Sequence, residues 1–272
     1  MRKFIIFVIL SVIVSSTHFT VAQNFNLSSP PIDHKIAIGL KYNRVLFKGE
    51  TDLSSFSGIY KFYGYFPLKN NWQINAEIPL VVASFKDNEY SDNQTGLANI
   101  FIEFQKALNE KKTTYLDIGL YIPTIGSEEY GRMFVGILSD VYRFVQYTEG
   151  VTLNSTFGYN LRNKPGAIFG VEVGPDVYIP TSGNDEEVEF LIHYGLKGGY
   201  MFKQVSTWVE FSGMWLLSEE GSIDINSYNQ IFLGGQLNSG RFRPGFFYGF
   251  HINEGLREET KGIIGINLQV VF

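Results

Sequence analysis

The chain has 272 residues, 44% of them hydrophobic and 16% aromatic, with 28 Gly, no Cys and a formal net charge of −5. These values exclude a collagen-like, disulfide-stapled or disordered chain, because each needs a glycine period, many cysteines or few apolar residues. A zinc-thiolate site and cysteine catalysis are excluded as well, and the acidic balance offers no basic footprint for a nucleic-acid partner.

Residues 1-22 have the form of a cleaved signal peptide. Arg2 and Lys3 give the positive start, Phe4 to Val14 an apolar run broken only by Ser11, and Thr20-Val21-Ala22 a small-residue cleavage pattern. The run is shorter than the roughly 20 residues a spanning helix needs. Losing Arg2 and Lys3 takes the charge from −5 to −7. Residues 23-34 are expected as an N-terminal periplasmic segment, and 35-272 as one transmembrane domain.

From residue 35 the chain alternates with period two, the strand period, since successive side chains leave opposite faces. In 71-82, Trp72, Ile74, Ala76, Ile78, Leu80 and Val82 share one face, and Gln73, Asn75, Glu77 and Pro79 the other. The same pattern predicts strands at 35-47, 54-67, 71-84, 95-107, 112-122, 150-162, 166-179, 188-201, 205-217, 228-237, 241-252 and 261-272, twelve in all. Their connections alternate between short (68-70, 108-111, 163-165, 202-204, 238-240) and long, often acidic or Gly- and Asn-rich ones. Sorted loops, an even strand count and a secretory signal predict an all-β fold: a 12-stranded antiparallel transmembrane β-barrel of the bacterial outer membrane, short turns in the periplasm.

A closed barrel satisfies its backbone internally, so side-chain parity decides which face meets lipid. The more polar parity carries Lys41, Lys61, Glu77, Asn99, Glu103, Asp117, Glu172, Asp176, Glu189, His193, Lys197, Glu210, Arg243 and His251. A basic residue facing midplane lipid costs about 2–4 kcal/mol, so these residues are expected to face the lumen. Arg44 and Lys106, on the apolar parity, sit near strand ends where they can snorkel. Phe66, Trp72, Phe104, Tyr159, Tyr200, Phe242 and Phe272 fall near the short-turn end, as an interfacial girdle requires. The lumen set holds seven acidic and four basic residues. The bases neutralise neighbouring carboxylates, or unpaired acids bias a pore towards cations or neutral polar solutes, and both can hold at once.

The longest connection, 123-149, places Met133, Ile137, Val141, Phe144 and Val145 at helical spacing, with Arg132, Asp140 and Arg143 between them. It reads either as a short amphipathic helix folded into the barrel mouth, or as a packed extracellular excursion or strand extension.

The last strand, with Ile264, Ile266, Leu268, Val270 and the terminal Phe272 on one face, is similar to the C-terminal signal that the barrel-assembly machinery reads. Gly96-Leu97-Ala98-Asn99-Ile100, Glu103-Phe104, Asp117-Ile118-Gly119-Leu120 and Pro123-Thr124, with Val151-Thr152-Leu153-Asn154 and Gly158-Tyr159 later, resemble the outer-membrane barrel family named after the meta-pathway of phenol degradation. Members start this stretch with Gly-Leu-Gly-Asp and close it with Pro-Thr-Gly. Here Asn99 stands for the Asp, and Ile125-Gly126 for the immediate Gly. The resemblance implies a transporter-like role, with uptake of hydrophobic or aromatic compounds.

An outer-membrane phospholipase also has twelve strands, but neither His193 nor His251 is followed two residues later by the Ser of its His-x-Ser pattern. The chain is therefore read as a non-enzyme without cofactor, with a rim-sited lipid hydrolase as the least favoured alternative. Glu128-Glu129, Asp185-Glu186-Glu187 and Glu219-Glu220 fall in long loops, where they are solvated or bridge through divalent cations to lipopolysaccharide. The expected function is a channel for passive passage or binding of small solutes, in contact with outer-membrane lipid. The alternative is a barrel that anchors a partner or stabilises the envelope without transport.

Overall fold

The computed structural model describes residues 35–48, 52–53, 56–86, 91–126, 130–162, 165–181, 187–217 and 227–272. The expected signal and N-terminal segment, and most of the acidic loop pairs, lie outside them. Among the described residues there are fourteen strands: β1 (Ala37–Phe47), β2 (Asp52–Leu53), β3 (Gly58–Pro67), β4 (Trp72–Lys86), β5 (Ser91–Leu97), β6 (Ile100–Ala107), β7 (Thr114–Ile122), β8 (Gly150–Arg162), β9 (Gly166–Pro180), β10 (Glu189–Met201), β11 (Val205–Leu216), β12 (Ser227–Leu237), β13 (Phe242–His251) and β14 (Thr260–Val271). Helix α1 (Tyr130–Ser139) and a 3₁₀ segment (Val141–Tyr147) lie between β7 and β8, and helix α2 (Glu254–Glu259) precedes β14.

The wall has twelve positions. β5 and β6 share one, because both pair with β4 and only Ala98 and Asn99 separate them, while the two-residue β2 adds to the upper end of β4. Each strand pairs antiparallel with its neighbours, and β1 pairs with β14 from Ala37↔Val271 to Phe47↔Thr260, which closes the ring. The expectation of a closed twelve-stranded antiparallel barrel is met. The sequence reading took 95-107 as one strand; the break at Ala98 and Asn99 arises because Asn99 bonds a different part of the chain, described below.

Local chemistry explains the tight ends. Between β3 and β4, Asn70 and Asn71 take φ of 58° and 61°, a left-handed conformation that Asn tolerates better than most residues. Leu68 N–H then donates to the Trp72 carbonyl at 2.8 Å. At this end Lys106 folds back from the outer face, with Nζ 4.8 Å from the Trp72 ring centroid and donating to the Asn70 carbonyl at 2.8 Å.

The two faces differ as parity requires. Outward, Phe62, Phe104, Ile118, Val209 and Phe246 are at least half exposed, and among the girdle aromatics Phe66, Trp72, Phe104, Tyr200, Phe242 and Phe272 are exposed, Tyr159 half-buried. Inward, rings lie flat against the wall over glycines of the next strand. Tyr115 faces Gly158, Trp208 faces Gly234 and Phe247 faces Gly265 as direct cross-strand partners. A Cβ at Gly234 would stand 2.5 Å from Trp208 Cζ2, so only glycine lets the indole cover its backbone there.

Candidate functional site

The connection between β7 and β8 turns into the barrel, and Asn99 holds both of its ends. On the outgoing side, Thr124 N–H donates to Asn99 Oδ1 at 3.0 Å, and Thr124 Oγ1 to the Ala98 carbonyl at 2.5 Å. On the returning side, Asn99 Nδ2 donates to the carbonyls of Val145 at 3.0 Å and Thr148 at 2.7 Å, and its backbone N–H to Gln146 at 2.9 Å. A strand residue spends its backbone groups on the ladder. Asn99 spends its own on the inserted segment, and the wall strand breaks there.

The segment crosses the lumen. Helix α1 packs towards β1, β3 and β4, and the 3₁₀ part towards β11 and β12. Val135 and Tyr147 join a buried cluster with Ile59, Val81, Ala83 and Ala98, with Ile137 against it. Val145 joins a second cluster with Phe101, Tyr121, Leu191 and Met214. Gly136 lies under the Tyr147 ring, 2.5 Å from where its Cβ would sit, so the helix and the 3₁₀ part fold tightly on each other. Helix C-termini leave carbonyls unmade; here the Leu138 carbonyl pairs with His251 Nε2 at 3.0 Å, which requires the proton on that nitrogen. The segment kinks at Arg143, with φ −110° and ψ 37°.

Its tip carries the charges. Lys61 Nζ lies 3.1 Å from Asp140 Oδ2 and 3.4 Å from Glu77 Oε2, and Arg143 Nη1 pairs with the same Glu77 oxygen. Tyr142 donates to Glu172 Oε1, while Tyr115 on the wall donates to Oε2 at 3.1 Å. Burial pulls the Arg143 guanidinium down, but the carboxylates of Glu77 and Asp140 prevail and hold it well above its ordinary range. Polar latches between wall and segment therefore sit in a space closed to bulk water, where charge-assisted bonds are strong and unmade ones costly.

Of the lumen candidates, Lys41, Lys61, Glu77, Asn99, Glu103, Asp117, Glu172, Asp176, His193, Lys197, Glu210, Arg243 and His251 are all buried, none more than 6% exposed. Glu189 is half-buried at the upper end of β10. The structure joins several of them through neutral partners. His193 Nδ1 meets Asp176 Oδ2 and its Nε2 meets Thr156 Oγ1, each at 3.0 Å, and Asn154 Nδ2 donates to Asp176 Oδ1 at 2.6 Å. The edge of the Tyr142 ring meets the His193 ring, centroids 5.7 Å apart. Asn75 Nδ2 donates to Glu103 Oε1 at 2.5 Å, Lys197 stands opposite Glu210 across β10 and β11, and Lys41 Nζ sits 5.1 Å from the Phe247 centroid. His193 and His251 serve separate networks. Among the described residues no group of His, Asp and Glu is arranged to hold a metal ion.

Sequence reasoning put Asn75 on the polar face and quoted Asn154, but singled out neither of them, nor Thr156 or Tyr142, as site residues. The first three share lumen parity with the charged residues and were findable by the same rule. Nothing local marked Tyr142, whose partner Glu172 is 30 residues away. The segment also changes the charge balance. Among the described residues seven acidic side chains are buried (Glu77, Glu103, Asp117, Asp140, Glu172, Asp176, Glu210) against six Lys and Arg (Lys41, Lys61, Arg132, Arg143, Lys197, Arg243); the segment brings Arg132 and Arg143 with Asp140, so it offsets part of the wall's acidic surplus.

No protein-family profile matches the chain, and no curated protein matches it in sequence. Solved structures do match in fold. An outer-membrane channel from Pseudomonas putida F1 superposes with a TM-score of 0.64 at 10% identity, over 93% of this chain and 100% of that one. The NanC porin gives 0.55 at 8% identity, over 85% and 98%. The translocator domain of the autotransporter NalP from Neisseria meningitidis gives 0.50 at 10% identity, over 100% and 95%. At such identities the likeness shows a shared fold. With the closed ring and the apolar exterior, it gives the chain the fold of a bacterial outer-membrane β-barrel.

Proposed function

We propose that the protein is an outer-membrane channel for passive passage of small solutes, and that the segment 130–147 closes its lumen in the conformation described. The observation that carries this reading is how the segment is held: ion pairs and hydrogen bonds from Asp140, Tyr142 and Arg143 to Lys61, Glu172 and Glu77. The interior around it supports the same view. Both carboxylate oxygens of Glu210, both side-chain polar atoms of Asn43 and both of Gln269 are buried without a hydrogen-bond partner. Buried polar atoms are nearly always satisfied, so these ask for water or a solute. A barrel serving only as an anchor gains nothing by burying them.

A finer reading, uptake of hydrophobic or aromatic solutes, is favoured by the apolar belt of Phe101, Tyr121, Leu191 and Met214 beside the segment. Outward Ile264, Ile266, Leu268, Val270 and Phe272 on β14 remain our proposed signal for the assembly machinery, and the acidic long loops the proposed contact with lipopolysaccharide.

Planar-bilayer recording tests the channel. Wild type should give small, stable conductance, and deletion of residues 130–147 should raise it several-fold. A folded deletion variant as silent as bare lipid would favour the anchoring alternative.

A further inference from the structure

We propose that Glu77, Glu103 and Glu172, on β4, β6 and β9, form a binding site for the cationic group of a solute, a guanidinium or ammonium, and that Arg143 is its tethered occupant. The inference rests on the channel reading and adds the class of solute. Arg143 belongs to the inserted segment, not to the wall, yet its guanidinium pairs with wall residue Glu77 and lies within electrostatic reach of Glu103. The adjacent Tyr142 hydroxyl donates to Glu172. Two consecutive side chains of the segment thus present hydrogen-bond donors to wall carboxylates.

Charge balance gives the first reason. Along the arc from β4 to β9 the buried acidic residues are Glu77, Glu103, Asp117, Glu172 and Asp176, and among the described residues no buried Lys or Arg of the wall lies on that arc. When the segment withdraws, Arg143 leaves with it; Lys61 of β3 stays beside Glu77, but Glu103 and Glu172 keep no buried Lys or Arg on their own strands, and a mobile cation takes the place of the guanidinium there.

The second reason is an unmade bond. Glu103 is fully buried; its Oε1 accepts from Asn75, but its Oε2 has no hydrogen-bond partner. A buried carboxylate oxygen without a donor is costly, and Glu103 already feels the charge of Arg143. The occupant has donors spread over a plane or a tetrahedron, because the described carboxylates and histidines are not gathered closely enough to chelate a bare metal ion.

The test is titration calorimetry with ethylguanidinium on the purified full-length protein in detergent, with uncharged ethylurea as the control of equal shape. Arg143→Ala should bind ethylguanidinium at least about tenfold more tightly than wild type, and adding Glu103→Gln should abolish the gain. Arg143→Gln, which keeps most of the side-chain bulk, serves if the alanine variant fails to show heat-modifiable migration. Binding no tighter in the Arg143 variants than in wild type, indifference to Glu103→Gln, or equal uptake of ethylurea each overturns the proposal. Bilayer conductance separates the two claims: binding with a silent barrel removes the channel but keeps the site, and conductance without binding does the reverse.

Discussion

Asn99 does its work because an amide both donates and accepts. Its Oδ1 takes the Thr124 N–H and its Nδ2 reaches the Val145 and Thr148 carbonyls. An aspartate at this position accepts but cannot donate. Asn99→Asp is therefore expected to strip two buried carbonyls of their donor and to weaken docking of the segment by about 1–3 kcal/mol. Limited proteolysis within 130–147 should quicken while the wall stays intact; unchanged cleavage would show that the amide is not the tie. On the opposite face Ile118, mid-strand in β7 and 55% exposed, is a lipid contact. Ile118→Arg should cost about 2–4 kcal/mol in bilayers, read as a lower urea midpoint for unfolding from vesicles, whereas Ile118→Leu should leave the midpoint in place.

At the scale of elements, the strands were readable because lipid outside and water or polar groups inside force strict alternation, and strand ends fall within a few residues of the sequence reading. The inserted segment was readable only in its first half. Helix α1 has a clean apolar period, but the 3₁₀ part breaks that period at Arg143, and its burial comes from Phe101, Leu191 and Met214, far away in sequence. That two histidines serve different networks was beyond reach for the same reason: parity fixes a face, not a height or a partner. The latch has a defined pH response. The carboxylates raise the Arg143 guanidinium, so its pairing is fully present at neutral and moderately alkaline pH and fails only on acidification, when the carboxylates take up protons. Conductance should increase as pH falls and the carboxylates that hold Arg143 and Lys61 take up protons; conductance unchanged on acidification would contradict the latch. The flat rings make a separate prediction. Gly234→Val should destabilise the barrel by driving Trp208 off the wall, and Trp208→Ala in the same chain should recover part of the loss, so the double variant unfolds at higher urea than Gly234→Val alone.

For the molecule as a whole, the charged interior and greasy exterior hold together only as a ring, so the folded protein should migrate differently on gels when unheated and when boiled. The ring is completed by β1 and β14, the first and last strands of the wall. Until the final residues are available, everything made so far is a curved ribbon with two raw borders, each a row of unanswered amides and carbonyls. Growth from the N-terminus therefore cannot yield a partly working product, and loss of residues 260–272 should leave aggregate rather than a smaller cylinder. Both borders stay open until the seam between β1 and β14 forms.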